Sequence, residues 1–242
     1  MSLESMDLKS ILSIAAEKPR TVCIFDLDST LFNVSPRTQR ILNEFADLHN
    51  PDLRKVEIRH TDWGLKEALV RAGYNFDSNI ELHKTLRDFW VERFFSNKYL
   101  HYDVPYIGAV AFVQRLVKTK CEIHFLTGRD VARMGTGTLD VLTKWGFPVE
   151  AKNLHLKPDR ALDDHQFKLD WLLNHFPIEK YPPTAAPIFF FENEPVNINT
   201  LGKIRPDIHI VYLDTTHSRK ENVSVPVITV PNFQVKDETC ST

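Results

Sequence analysis

No apolar run in the chain approaches the ~18 residues that a membrane-crossing helix needs, so no helical span of that kind is expected. Met1 to Arg20 mixes acids, bases and apolar residues and holds no signal-peptide core, so no targeting segment is expected there. Cysteine is scarce. Cys23, Cys121 and Cys240 are three in 242 residues, too few for a disulfide framework or a thiolate metal cluster, and a reducing cytoplasm is the expected compartment. An excess of one charge is missing as well: 30 Lys and Arg stand against 32 Asp and Glu, for a net charge of -2. That balance counts against a dedicated nucleic-acid or membrane surface. There is no internal repeat and no low-complexity tract. What remains is a chain 43% hydrophobic, long enough for one large domain or a core carrying an inserted module.

One stretch organises the rest. Thr21-Val22-Cys23-Ile24-Phe25 is a continuous β-branched and aromatic run, the pattern of a strand buried on both faces. Asp26-Leu27-Asp28-Ser29-Thr30 follows it. In an open parallel sheet, ligands bind beyond the carboxyl ends of the strands, and Asp26 and Asp28 fall at that edge. Two carboxylates in one mouth invite a divalent cation, because like charges so close would otherwise neutralise one another by raising a pKa. Read in isolation, the same residues are also a solvated turn that ends a strand.

Beyond Phe32 the pattern changes for about ninety residues and reads as helical. Ser35-Pro36 starts a helix, with Ile41, Leu42, Phe45 and Leu48 as its apolar stripe. Trp63, Leu65, Leu69 and Val70 predict a second helix, and Ile80 to Phe95 a third. Their aromatic residues sit at helical spacing, which reads as packing core. After Tyr106 strands and helices alternate. Strands are predicted at Cys121–Leu126, Asn153–Leu156, Ile188–Phe191 and His209–Leu213, and helices at Tyr106–Lys118, Val131–Trp145, Asp163–Phe176 and through Ile198 and Leu201. Leu173 is expected to face inward with Phe167, Leu169 and Leu172. This alternation predicts a doubly wound α/β fold with a parallel sheet. The expected division is a core of residues 1–32 and 105–235, a helical insert of 33–104, and a flexible tail of 236–242.

Three predicted strand ends carry complementary polar groups: Asp26 and Asp28, then Thr127-Gly128-Arg129, then Glu192-Asn193. Lys157 and Lys168 follow the second. Phosphoryl transfer needs a nucleophile, a hard cation, donors to the equatorial oxygens and a proton shuttle, and each post has a candidate here.

Asp26-Leu27-Asp28-Ser29-Thr30 resembles the DxDxT signature of the haloacid dehalogenase-like superfamily. Leu126-Thr127-Gly128-Arg129 resembles its second motif, and Phe190-Phe191-Glu192-Asn193 stands where its acidic fourth motif belongs. Order and spacing match from about Arg20 to Leu213, with 33–104 where a helical cap is inserted. The resemblance implies a Rossmann-like core with a cap, and a Mg²⁺-dependent phosphatase acting through an aspartyl-phosphate. It implies Asp26 as nucleophile, Asp28 as general acid and base, and Thr127, with Gly128 and Arg129, against the substrate phosphoryl group. It implies a metal held by Asp26, the Asp28 main-chain carbonyl and the Glu192-Asn193 motif, whose Glu-Asn departs from the family's usual acidic pair. A lysine should neutralise the nucleophile; Lys157 and Lys168 both qualify, and Lys168, at a helix start, is the one expected. For Arg129, a structural pair with Asp130 or with an acid on the insert is expected ahead of the substrate contact. Glu194 is a substitute ligand and Asn197 an orienting group.

The expected partner is a small phosphorylated substrate. A nucleic-acid 3'-phosphate is less favoured, because the near-neutral charge offers no basic stripe. Two other readings stay open: a catalytically impaired module that binds a phosphorylated ligand or a partner, and a phosphotransferase using the same aspartyl-phosphate. The histidines His60, His124, His155 and His165 show no ligand spacing and are expected to be structural or solvated.

Overall fold

The computed structural model describes residues 6–75, 80–184 and 186–235; the tail expected at 236–242 lies outside them. The strand at Thr21–Phe25 forms as β1 (Val22–Phe25), with all four residues buried. It lies between two other parallel strands, β4 (Glu122–Asp130) and β6 (Ile188–Glu192). Adding β5 (Leu154–Lys157), β7 (His209–Leu213) and β8 (Ile228–Val230) gives a six-stranded parallel sheet of order β5-β4-β1-β6-β7-β8.

Both faces of the sheet are covered, which is why β1 reads as an unbroken apolar run. On one face Cys23 and Phe25 pack with α1 (Leu8–Glu17), α5 (Ala109–Lys118) and α6 (Val131–Trp145). Phe25 stacks on Phe191 with ring centroids 4.3 Å apart, a contact worth about 0.5–1.5 kcal/mol beyond its burial. On the other face Val22 and Ile24 pack with α7 (Asp164–His175) and α8 (Pro195–Ile204). No helix among the described residues is long and apolar enough to cross a membrane.

The helical insert leaves and rejoins the core through a two-stranded antiparallel ribbon, β2 (Phe32–Asn33) and β3 (Val104–Pro105). Between them lie α2 (Ser35–His49), α3 (Leu65–Arg71), α4 (Ile80–Phe94) and two short 3₁₀ turns at Pro51–Lys55 and Asn97–Tyr102. The insert has its own core, in which Leu42, Phe45, Leu53, Val56, Leu69 and Leu86 meet.

Some elements differ from the sequence reading. β4 runs four residues past Leu126, through the polar Thr127-Gly128-Arg129-Asp130, because Asp130 still pairs with Lys157 across a register shift. The helix expected from Tyr106 starts only at Ala109: Tyr106 N–H donates to Leu31 O, and Gly108 turns left-handed at φ 82° against the Phe233 backbone. Leu173 is 39% exposed, and Leu48, Trp63 and Val70 on the insert are exposed as well. Helical spacing marks a stripe but not where it ends. The Pro-rich stretch after Val223 contributes a sixth strand, β8.

Candidate active site

The site is built on the carboxyl ends of β1, β4 and β6. Asp26 N–H donates to Phe191 O at 3.0 Å, so the sheet ladder carries Asp26 to its rim before the chain turns. The turn is closed by Ser29 N–H to Phe32 O and by Phe32 N–H to Leu27 O. Ser29 sits at φ 61°, a left-handed conformation that costs a non-glycine residue about 1–2 kcal/mol. Thr215 Oγ1 donates to Ser29 O and holds that turn from the far side of the mouth.

Lys168, on α7, reaches Asp26 and Lys157 does not. Lys168 Nζ donates to Asp26 Oδ1 and to Glu192 Oε2, each at 2.6 Å, and all three side chains are buried. Lys157 Nζ instead donates to Leu162 O at 2.8 Å and to Asp164 Oδ1 at 2.6 Å. That Asp164 carboxylate lies against Gly128, where an added Cβ would come within 2.3 Å of Oδ2. Lys157 therefore braces the second motif from behind. Thr127 is buried beside it, and its Oγ1 accepts from Arg129 N–H.

Glu192 is saturated. Oε1 accepts from the Asn193 and Glu194 N–H groups, and Oε2 from Lys168 Nζ and Asn197 Nδ2. Asn193 is tied down too: its Oδ1 accepts from Thr30 Oγ1 and its Nδ2 donates to Thr216 O. Glu194 accepts from the Ser218 hydroxyl and N–H.

Asp28 is held by two arginines. Its Oδ1 accepts from Arg37 Nη2 and Arg129 Nη2, each at 2.6 Å, and its Oδ2 accepts from Arg129 Nε at 3.1 Å. Both arginines also meet Asp103. Arg129 Nη2 donates to Oδ2 at 2.7 Å, and Arg37 Nε lies 2.9 Å from Oδ1, close in charge but too bent for a hydrogen bond. Arg129 thus takes the acid-pairing role with Asp28 and an acid of the insert, while Asp130 pairs with Arg133.

The charges follow from these contacts. Burial pushes the Asp26 carboxyl up to about 7; Lys168 pulls it back, and neighbouring Glu192 adds to the rise. Burial works against the Lys168 ammonium, but Asp26 and Glu192 outweigh it and keep the group charged. Asp28 goes the other way: burial would raise it, yet Arg129 and Arg37 hold it well below the usual carboxylate range. The site therefore brings the titration of one carboxyl, itself paired with Lys168, up to near neutral pH and holds the next firmly ionised.

The donors for a hard cation are partly in place. Asp26 Oδ2 stays available once Oδ1 has taken Lys168, and the Asp28 carbonyl takes no part in the turn's hydrogen bonds. Both are the oxygen type that Mg²⁺ prefers. Glu192 and Asn193 have their acceptors engaged within the protein. Among the described residues no three His, Cys, Asp or Glu side chains converge as a metal cluster.

Sequence reading missed Arg37, Asp103, Thr138 and the Thr215–Ser218 loop. Arg37 had a signal: it falls in line with Ile41 and Phe45 at i, i+4 and i+8, so a charge sat on the buried stripe of α2. Asp103 had none, being one acid in a connecting segment.

No family model matches the sequence, and no curated protein matches it. Solved structures do. A predicted phosphatase from Clostridium acetobutylicum superposes with a TM-score of 0.50 at 10% identity, over 87% of this chain and 93% of that one. A haloacid dehalogenase-like family hydrolase from Streptococcus pneumoniae gives 0.49 at 14% identity, over 87% and 94%. CbbY from Rhodobacter sphaeroides, in complex with phosphate, gives 0.48 at 12% identity, over 88% and 94%. At such identities the likeness is one of fold.

Proposed function

We propose that this chain, which has the haloacid dehalogenase-like fold, is a phosphomonoester hydrolase that forms an aspartyl-phosphate on Asp26. The observation that carries the reading is the state of Asp26: buried at the sheet rim, one oxygen held by Lys168 and the other available. A carboxylate so fixed attacks from Oδ2 with its orientation already set. The bond between phosphorus and the ester oxygen breaks as the bond to Oδ2 forms, and water then cleaves the acyl phosphate. Thr127 and the Gly128 main chain, on the neighbouring strand β4, would donate to phosphoryl oxygens. Asp28 is about one-third exposed, with a single hydrogen bond on Oδ2. Held ionised by its two arginines, it would take the proton of the attacking water directly; to serve the leaving oxygen as an acid it must first take up a proton, which the negative charge of an incoming phosphate favours. Mg²⁺, held by Asp26 and the Asp28 carbonyl, would offset the charge of phosphate and carboxylate together. Glu192 would act by orienting Lys168. The substrate would be a small phosphorylated molecule and the setting cytoplasmic.

A second reading has its own support. Two arginines on Asp28 and four donors on Glu192 suit a protein that binds a phosphorylated ligand without turning it over. Hydrolysis of an aryl phosphate, with Mg²⁺ and with chelator, beside the Asp26→Asn variant, separates the two. Metal-dependent release that vanishes in the variant supports the hydrolase. Release that persists in the variant sinks Asp26 as nucleophile, and phosphate binding without release favours the binding module.

A further inference from the structure

Arg37 belongs to the insert, yet its guanidinium reaches into the catalytic loop. It is fully buried on the first turns of α2. Nη1 donates to Phe94 O at 2.9 Å, at the end of α4, and its plane lies over the Phe94 ring at 3.9 Å. Nη2 goes to Asp28, and Nε faces Asp103, at the insert's exit. Arg129 closes the figure from the core and is itself anchored by Nη1 to Thr138 Oγ1 at 3.4 Å. Two guanidiniums and two carboxylates form a neutral square, with three members buried and only Asp28 opening to the mouth.

We infer that Arg37 and Asp103 are positioning residues for Asp28: the insert completes the catalytic loop from outside the α/β core. The argument is one of charge count and geometry. Remove Arg37, and one buried guanidinium is left facing two carboxylates. Arg129 must then divide its donors, and Asp28 Oδ1 loses one of its two partners. Asp28 is anchored at its main chain only by the short turn that Ser29 and Phe32 close, so its side chain depends on these contacts for its aim. Arg37 also binds the two ends of the insert to each other, through Phe94 O and Asp103. The aim of Asp28 is thereby linked to the seating of the insert's root.

The inference rests on the hydrolase reading for its kinetic consequence, and the test separates the two. Arg37→Lys keeps a buried cation, so the fold should survive, but a lysine cannot span Asp28, Asp103 and Phe94 O together. Hydrogen exchange is measured on the full-length wild type and variant. The expected result is faster exchange of the Ser29, Thr30 and Phe32 amides, which close the catalytic turn. Exchange altered only within α2 and α4 overturns the inference. In parallel, aryl phosphate hydrolysis should show kcat reduced about 100-fold with KM within about twofold, the signature of a misaimed group rather than lost binding. In an Asp28→Asn background the same substitution should change kcat little, because its effect passes through Asp28. Equal losses in both backgrounds, or unchanged kcat in a folded Arg37→Lys, overturn it too. If the wild type shows no hydrolysis, the hydrolase reading fails and the exchange result alone decides the positioning.

Discussion

Lys168 Nζ lies 2.6 Å from Asp26 Oδ1 and 2.6 Å from Glu192 Oε2, so one buried ammonium balances two buried carboxylates. Lys168→Met should therefore do two things. It should abolish turnover, because Asp26 loses its orientation. It should also destabilise the fold by about 3–5 kcal/mol, the usual cost of leaving buried charge unpaired. Lys157→Ala should cost less activity, since Lys157 supports Asp164 and the Gly128 loop from behind. Urea denaturation and initial rates on both variants check this; a larger activity loss in Lys157→Ala would reverse the assignment of roles.

Asp103 is fully buried between Arg37 and Arg129, and burial raises its carboxyl against the pull of both. Asp103→Asn keeps the shape and removes the charge. Two guanidiniums then share Asp28 alone. The expected loss is about 3 kcal/mol of stability, read as a lower urea midpoint with an unchanged m-value. A midpoint equal to wild type would mean that the square carries no net stability.

Metal binding should follow the available oxygens. Asp26→Asn should remove most of the heat of Mg²⁺ binding in calorimetry, since Asp26 supplies the available side-chain oxygen. Asp28→Ala should retain binding, because its proposed ligand is the main-chain carbonyl. Glu192→Gln should weaken binding less than Asp26→Asn, as the Glu192 acceptors are already taken by Asn193, Glu194, Lys168 and Asn197. The opposite ranking would make Glu192 the principal ligand.

Legibility of the sequence varied with the length scale of each signal. β1 was readable because a run buried on both faces leaves consecutive apolar residues. The placing of Asp26, Thr127 and Glu192 on one rim was readable because a parallel sheet delivers every strand end to one edge. Lys168 was expected ahead of Lys157 from its place at a helix start, and the direction of α7 sends it to Asp26. The arginine square was almost silent. It joins Asp28, Arg37, Asp103 and Arg129, and long-range ion pairs have no period to detect. Arg37 alone left a trace, as a charge on an apolar stripe. The extension of β4 through Thr127-Gly128-Arg129 was hidden because its polar residues looked like a loop.

A final prediction lies at the opposite end of β4. His124 Nδ1 and His155 Nε2 are 2.9 Å apart, and Glu122 meets the other nitrogen of His124. Burial, with His124 and His175 nearby, pushes His155 down to about 4, and burial also lowers His124. In the unfolded chain a histidine takes up its proton near 6.5. Between about 6.5 and 4 the unfolded state therefore binds more protons than the folded state, and stability falls as the pH drops through that window. The full gap for His155 would be about 3 kcal/mol, and partial exposure reduces the expectation to about 1–2 kcal/mol. Asp26, raised to about 7, takes up a proton over the same range and opposes this loss, so the readout is a difference: between pH 7 and pH 5 the urea midpoint of wild type should move against that of His155→Gln by the equivalent of this loss, with the two within about 1 kcal/mol at pH 7. An equal acid response in wild type and variant would place the sensitivity elsewhere, as in His124; Asp28, ionised in both states at these pH values, does not contribute.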